Sequence, residues 1–419
     1  MAARPMRVLL YCHDTFGLGH LRRSRAIAHA IVAANKRARC LIVSGSPVLG
    51  DFDYRARVDY ISIPGVIKRR SGAYVAADAH VDLEQTLAMR RAIIAETAEA
   101  FDPHLFIVDK EPWGLRGELA PTLDALHRRG VPIVLGLRDV LDDPSLLVPE
   151  WGRNDNVTAL ARYYDQIWVY GLPQMYEPLA CIDLPRSLRR RIVYTGYLRR
   201  EVSAFAPPPA NLPGTTKEDG RPYILVTPGG GGDGDGLVDW VLNAYEADPA
   251  IPANAVIVFG PFLDSTARTG FLHRIEKLER VHALVFDAHI EGLMANCAGI
   301  VAMGGYNTFC EILSFDKPAL VVPRTTPRLE QWLRARRAEE LGLVATLPDP
   351  GPPGSGRAPG RVMATALRHL PQQRRPSDVV VPGLLDGLDN INRLARRLIR
   401  RPSVQAVAAD RGANRAAIR

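Results

Sequence analysis

The sequence predicts an α/β protein made of two Rossmann-like, doubly wound domains facing each other across a cleft. Three observations carry this. Short apolar runs bounded by polar turn residues alternate with helical stretches, as expected of a mostly parallel sheet covered on both faces. A Pro-rich segment, SAFAPPPANLPGTTKEDGRP, interrupts the alternation, which then starts again. At 419 residues the chain is also too long for one ordinary core.

The first strand is expected at Val8 to Cys12, followed by the turn HDTFGLGH and a helix whose Ile27, Ala30, Ile31 and Ala34 fall at i, i+3, i+4 and i+7. Further buried strands are expected at Cys40 to Ser44, Leu105 to Asp109, Ile133 to Leu137, Gln166 to Tyr170 and Ile192 to Thr195. These complete an N-terminal domain over 1–202, and the linker covers 203–222. A C-terminal domain over 223–383 takes strands at Tyr223 to Thr227, Ala255 to Phe259, His282 to Phe286, Gly299 to Met303 and Ala319 to Val322. Residues 384–419 form a closing amphipathic helix and a basic tail, with Leu384, Leu388, Ile391, Leu394 and Leu398 along one side. That helix is expected to pack on the protein; a membrane-surface role is the other reading.

Composition narrows the function. A hydrophobic content of 47% and a charged content of 23% describe a globular protein, and no apolar run approaches the roughly 20 residues of a membrane span. The start, MAARPMRVLL, has no signal-cleavage pattern, which predicts a cytoplasmic protein. The net charge of +8 favours anionic partners. Its arginines are scattered and lack interleaved aromatics, so nucleic acid is not expected. The five cysteines form no CxxC pair and are expected to be reduced and buried.

In a parallel sheet the carboxyl ends of all strands share one edge, so polar residues there share a cleft. The first domain's ends carry His13-Asp14, Ser44-Gly45, Asp109-Lys110-Glu111, Arg138-Asp139 and Thr195-Gly196. His20, His13, Asp14, Glu111 and Asp139 are the candidate groups for binding or deprotonating a substrate hydroxyl, with Gly17, Gly19 and Arg138 beside them. In the second domain, TPGGGGDGDG follows a strand. Thr227, Gly229, Gly230 and Gly231 offer a hydroxyl and unobstructed amides to a pyrophosphate. Asp233 and Asp235 form a DxD that either points away or binds a metal; the former is expected, with no metal and no cofactor. The stretch MGGYNTFCEIL places Asn307, Thr308 and Glu311 on the polar side of a helix whose N-terminus offers donors to a phosphate and whose carboxylate suits a sugar diol.

The pattern GGYNTxxE, then KPALVVP, then EQ before a basic helix and an LG turn resembles the donor-binding half of GT-B glycosyltransferases. It is similar to the family 28 group that includes the bacterial UDP-N-acetylglucosamine transferase acting on a lipid-linked cell-wall precursor. The GLGH turn also resembles that group's glycine loop, and the specific stretch runs from about 282 to 345. The resemblance implies that Glu311 binds the donor ribose; that Gly304, Gly305, Asn307 and Thr308 meet the diphosphate; and that Glu330 and Gln331 meet the sugar. It implies that Phe286 and Asp287 line the base through their backbone and that His20 sits at the reacting centre. HDTFGLGH and Tyr306-Asn307 depart from the group's pattern.

The expected activity is transfer of a hexose or N-acetylhexosamine from a nucleoside-diphosphate sugar, with UDP the expected nucleotide, to a glycan or lipid-linked acceptor. The setting expected is cell-envelope or exopolysaccharide synthesis, at the inner face of an anionic membrane. Alternatives are a nucleotide-sugar epimerase or hydrolase, and a non-catalytic nucleotide-sugar-binding scaffold.

Overall fold

The structure is a computed structural model describing residues 6–13, 18–68, 74–78, 80–203, 221–230, 232–356 and 359–400. The readings on Asp14, Gly17, Gly231, the interior of the Pro-rich segment and the tail beyond Arg400 lie outside the described residues.

The first half runs β1 (Met6–Tyr11), α1 (Gly19–Ala34), β2 (Ala38–Ser44), β3 (Val58–Ser62), β4 (Val66–Lys68), β5 (Tyr74–Ala76), α2 (Leu83–Phe101), β6 (Leu105–Asp109), α3 (Ala120–Arg128), β7 (Ile133–Arg138), α4 (Pro144–Arg153), α5 (Asn156–Tyr163), β8 (Gln166–Tyr170), α6 (Arg186–Arg189) and β9 (Ile192–Tyr194). The second runs β10 (Tyr223–Thr227), α7 (Asp235–Ala247), β11 (Asn254–Val258), α8 (Ser265–Ile275), β12 (Val281–Leu284), α9 (Ile290–Asn296), β13 (Gly299–Ala302), α10 (Tyr306–Phe315), β14 (Ala319–Val321), α11 (Glu330–Glu340), β15 (Ala345–Thr346), α12 (Gly360–His369) and α13 (Gly387–Arg400).

Two parallel sheets result, ordered β3-β2-β1-β6-β7-β8-β9 and β12-β11-β10-β13-β14-β15. In each, strand order reverses beside the first strand, which opens a crevice at the carboxyl ends of β1 and β6 and of β10 and β13. Both faces of each sheet are buried along its central strands. Leu9, Phe106 and Leu135 point into one cluster, while Val8, Leu10 and Ile107 join Leu225, Val256 and Ile300 in a second cluster that spans both halves. At about 1.5–3 kcal/mol for each large aliphatic side chain, this burial drives the sheets together.

Several expectations need correction. In α1 the buried face is Leu21, Ser24, Ile27, Ala28 and Ile31; Ala30 is half-buried and Ala34 exposed, because the covered row starts nearly two turns earlier, at Leu21. The strands β3, β4, β5 and β15 were not expected: β3 is an edge strand whose Asp59 and Tyr60 are exposed, and the others are two or three residues long. Cys181 is exposed; the other four cysteines are buried.

After the second sheet the chain returns to the first. Tyr197 N–H donates to Leu384 O (2.7 Å), Gly387 N–H donates to Tyr197 O (3.1 Å), and Leu198 bridges Asp386. The helix α13 then lies against α1, burying Ile391, Ala395 and Leu398, and Asn390 Nδ2 donates to Thr195 O (2.7 Å). Among the described residues no helix is long and apolar enough to cross a membrane.

Candidate active site

Parallel pairing of β1 with β6 aligns Tyr11 with Val108, bringing residues that follow β1 beside the end of β6. Asp109, the last residue of β6, receives His20 Nδ1 from the first turn of α1. One helical turn later Arg23 closes on the same carboxylate, with Nε 2.8 Å from Oδ1 and a terminal nitrogen 2.5 and 2.8 Å from Oδ1 and Oδ2. Burial alone would raise the Asp109 carboxyl, but Arg23 and His20 outweigh it and hold it far below the usual range, so it stays charged. A carboxylate on Nδ1 fixes the ring and leaves Nε2 as the nitrogen able to accept a proton. Asp109 was read as a strand-end residue and not as a candidate; the signal that could have found it is its adjacency to β1.

The other candidate bases are placed less well for that task. His13 is buried edge-on to His20 (5.9 Å between ring centroids), and burial pushes its imidazole down to about 3, so it is a weak base. For Glu111, burial pushes upward, yet Lys110 at 3.0 Å, helped by His13, wins and holds it down at about 2. Asp139 has its oxygens taken by Arg334 (2.8 and 2.6 Å), the Tyr197 hydroxyl (2.7 Å) and the Val140 N–H (2.7 Å). Arg138, half-buried nearby, has a buried Nε without a hydrogen-bond partner, and burial lowers its affinity for the proton.

On the second sheet, the turn after β13 needs Gly304, whose φ of 76° is left-handed and whose added Cβ would lie 2.6 Å from Val321. Gly305 precedes the first turn of α10, which carries Asn307 and Thr308, with Glu311 one turn further. This face was expected to be polar. Asn307, Thr308 and Glu311 are nevertheless buried, and the first half packs on Asn307 and Glu311. Asn307 Nδ2 donates to Gly19 O (3.0 Å), and Arg200 donates to Asn307 Oδ1 (2.8 Å). Glu311 lies 2.5 Å from an Arg22 nitrogen.

Around it, Thr227 Oγ1 accepts from Gly229 N–H (3.1 Å), and Gly230 O accepts from Phe262 N–H (3.0 Å). Glu330 Oε1 accepts from Arg324 (2.6 Å), leaving Oε2 buried without a hydrogen-bond partner, and Gln331 Oε1 accepts from Arg324 N–H (3.2 Å). Arg324 Nε also sits 2.5 Å from Asp233, giving the first carboxylate of the DxD a cationic partner. Phe286 packs edge-on against Phe52 of the first half, and Asp287 accepts from His289 N–H (2.7 Å). Among the described residues no three His, Cys, Asp or Glu side chains are grouped to hold a metal ion. The sequence reading missed the arginines Arg22, Arg23, Arg200, Arg324 and Arg334; the run HLRR directly after the glycine turn was the available signal for the first two.

No protein-family model and no curated protein matches the chain. Solved structures do match over nearly the whole length. A UDP-glucosyltransferase from Polygonum tinctorium capable of glucosylating indoxyl superposes with a TM-score of 0.61 at 14% identity, covering 96% of this chain and 100% of that one. A ugt transferase from Siraitia grosvenorii in complex with UDP gives 0.58 at 13%, covering 94% and 100%. The glycotransferase of kitacinnamycin gives 0.57 at 13%, covering 97% and 98%. With two Rossmann-like sheets meeting at their switch points, the chain has the GT-B fold of these glycosyltransferases.

Proposed function

We propose that the protein is a glycosyltransferase that moves a sugar from a UDP-sugar to an acceptor hydroxyl. The observation that carries this is the His20–Asp109 pair facing the start of α10 across the cleft, with the Asn307 amide on the carbonyl of Gly19, the residue before His20. Base and donor helix are therefore one hydrogen bond apart.

In the proposed reaction the acceptor O–H gives its proton to His20 Nε2 as its oxygen bonds the anomeric carbon. The bond from that carbon to the β-phosphate oxygen breaks, and its electron pair leaves on UDP. Asp109 stabilises the imidazolium, and the amides opening α10 meet the growing charge. Glu311 takes the ribose hydroxyls, and Glu330 with Gln331 the sugar. The UDP complex and the glucosyl transfer named for the neighbours support the donor choice. The lipid-linked or glycan acceptor, and association with an anionic membrane, rest on the family resemblance and the basic charge.

Calorimetric titration with UDP, GDP, dTDP and CDP tests the donor, and turnover with and without acceptor tests the reaction. One diphosphate is expected to bind selectively. His20→Ala is expected to spare that binding and slow transfer by about 10²–10⁴-fold. Failure of every diphosphate to bind, or normal transfer by His20→Ala, overturns the reading; consumption of UDP-sugar without acceptor favours a hydrolase or epimerase.

A further inference from the structure

Glu311 already has a partner, and that partner comes from the other half of the molecule. One Arg22 terminal nitrogen lies 2.5 Å from Glu311 Oε1 and 2.8 Å from Glu291 Oε1, so a single guanidinium bridges two carboxylates on α10 and α9. The Glu311 side chain has no exposed surface, Glu291 only 8% and Arg22 only 15%. Arg22 reaches only Oε1 of Glu311, and Oε2 is buried without a hydrogen-bond partner, so a sugar diol that takes both oxygens competes with Arg22 for Oε1.

The surroundings give Arg22 somewhere to go. Arg25 acts on Glu291 and Arg200 on Glu311, so three guanidiniums face two carboxyl groups. Arg200 is anchored on Asn307 and, through its backbone N–H, on Ser314 Oγ (2.8 Å). Arg25 stacks over Phe52 (4.9 Å) and donates to Asp53 O (3.2 Å). Among the described residues Arg22 is the one ion-pair partner shared by Glu291 and Glu311. If it lost Glu311 it would still keep a hydrogen-bonded carboxylate in Glu291, which avoids stranding a buried guanidinium.

We propose that Arg22 is a donor-gating residue, competing with the donor ribose for Glu311 and withdrawing onto Glu291 when the ribose wins. This rests on the glycosyltransferase reading, since it presupposes that Glu311 takes a ribose. It predicts effects of opposite sign from two neighbouring substitutions. Without Arg22, Glu311 is free for the diol. Without the Glu291 charge, Arg22 has only Glu311 and holds it harder.

The experiment compares UDP with 2′-deoxyuridine diphosphate by calorimetry on the full chain. The ratio of the two affinities reads the ribose contact and cancels the attraction of the diphosphate. Arg22→Gln is expected to raise the preference for UDP by about 5-fold or more, and Glu291→Gln to reduce it towards no preference. An unchanged ratio in both variants, or a change of the reverse sign in either, overturns the gate while leaving the donor reading intact. If neither nucleotide binds the wild type or the variants, the donor reading fails and the gate fails with it. Should Arg22→Gln not fold, Glu291→Gln decides alone: a reduced ratio supports the gate, and an unchanged or raised one overturns it.

Discussion

Replacing Asp139 with alanine removes the acceptor at the most deeply buried ion pair between the two halves among the described residues. Asp139 is 0% exposed and Arg334 1%. Four donors lose their acceptor: two Arg334 nitrogens at 2.8 and 2.6 Å, the Tyr197 hydroxyl at 2.7 Å and the Val140 amide at 2.7 Å. Charge-assisted hydrogen bonds contribute about 1.5–3 kcal/mol each, so the simple sum is too high for one residue. Arg334 keeps its bond to Gly304 O at 3.0 Å, and water can enter the vacated space. The expected loss is therefore about 3–5 kcal/mol, the range for stranding one member of a buried ion pair. Urea unfolding followed by tryptophan fluorescence reports it, because Trp168 is buried on β8 in the first sheet and Trp240 is buried on α7 in the second half. Small-angle scattering on the same variant shows whether the halves part. If they do, Arg334 reaches water, the stability loss shrinks and the radius of gyration rises. Asp139→Asn keeps the volume and one acceptor oxygen, and should lose less. An unchanged midpoint together with an unchanged radius would refute the idea that this pair clasps the halves.

Asp109→Asn should slow sugar transfer by about 10²–10⁴-fold without weakening UDP, because it unseats His20 on one sheet and leaves α10 on the other untouched; equal rates would move the base elsewhere. Glu311 gives a pH signature. Burial, together with Glu291 and against the pull of Arg22, lifts its carboxyl from 4.5 to about 7. A folded value above the unfolded one stabilises the protein below about pH 4.5, and that stabilisation is lost as pH climbs through 7. Wild type should lose more stability than Glu311→Gln over that interval, and parallel stability curves would contradict this. Gly304→Ala should cost about 1–3 kcal/mol in a thermal or urea melt, since φ is 76° and the new methyl meets Val321; an unaltered melt would show that the turn can relax.

Strands such as Leu105–Asp109 and Tyr223–Thr227 were legible because a strand buried on both faces is an unbroken apolar run bounded by turn residues. Edge strand Val58–Ser62 was not, since residues on both of its faces are exposed and VDYIS looks like a loop with scattered apolar residues. Residues of the site that lie close in sequence, such as Asn307, Thr308 and Glu311, follow from helical spacing alone. The partners that change their meaning come from afar: Arg22 on Glu311, Arg200 on Asn307, Arg334 on Asp139. Periodicity says which face of α10 is polar, but not that the first half lies against it. Nor does it reveal that Asp139, though at a strand end, is committed to another chain segment.

The return of the chain from the second sheet to the first has a consequence for biosynthesis. On the ribosome, α1 is made early, whereas the helix that covers it, Gly387–Arg400, is made only after the whole second sheet. The first half must therefore wait with the α13-facing side of α1 bare, and cannot finish as an independent unit. A shortened chain ending after β9 should expose this seam and associate or bind chaperones. Supplying residues 384–400 through a short engineered connection should cure it.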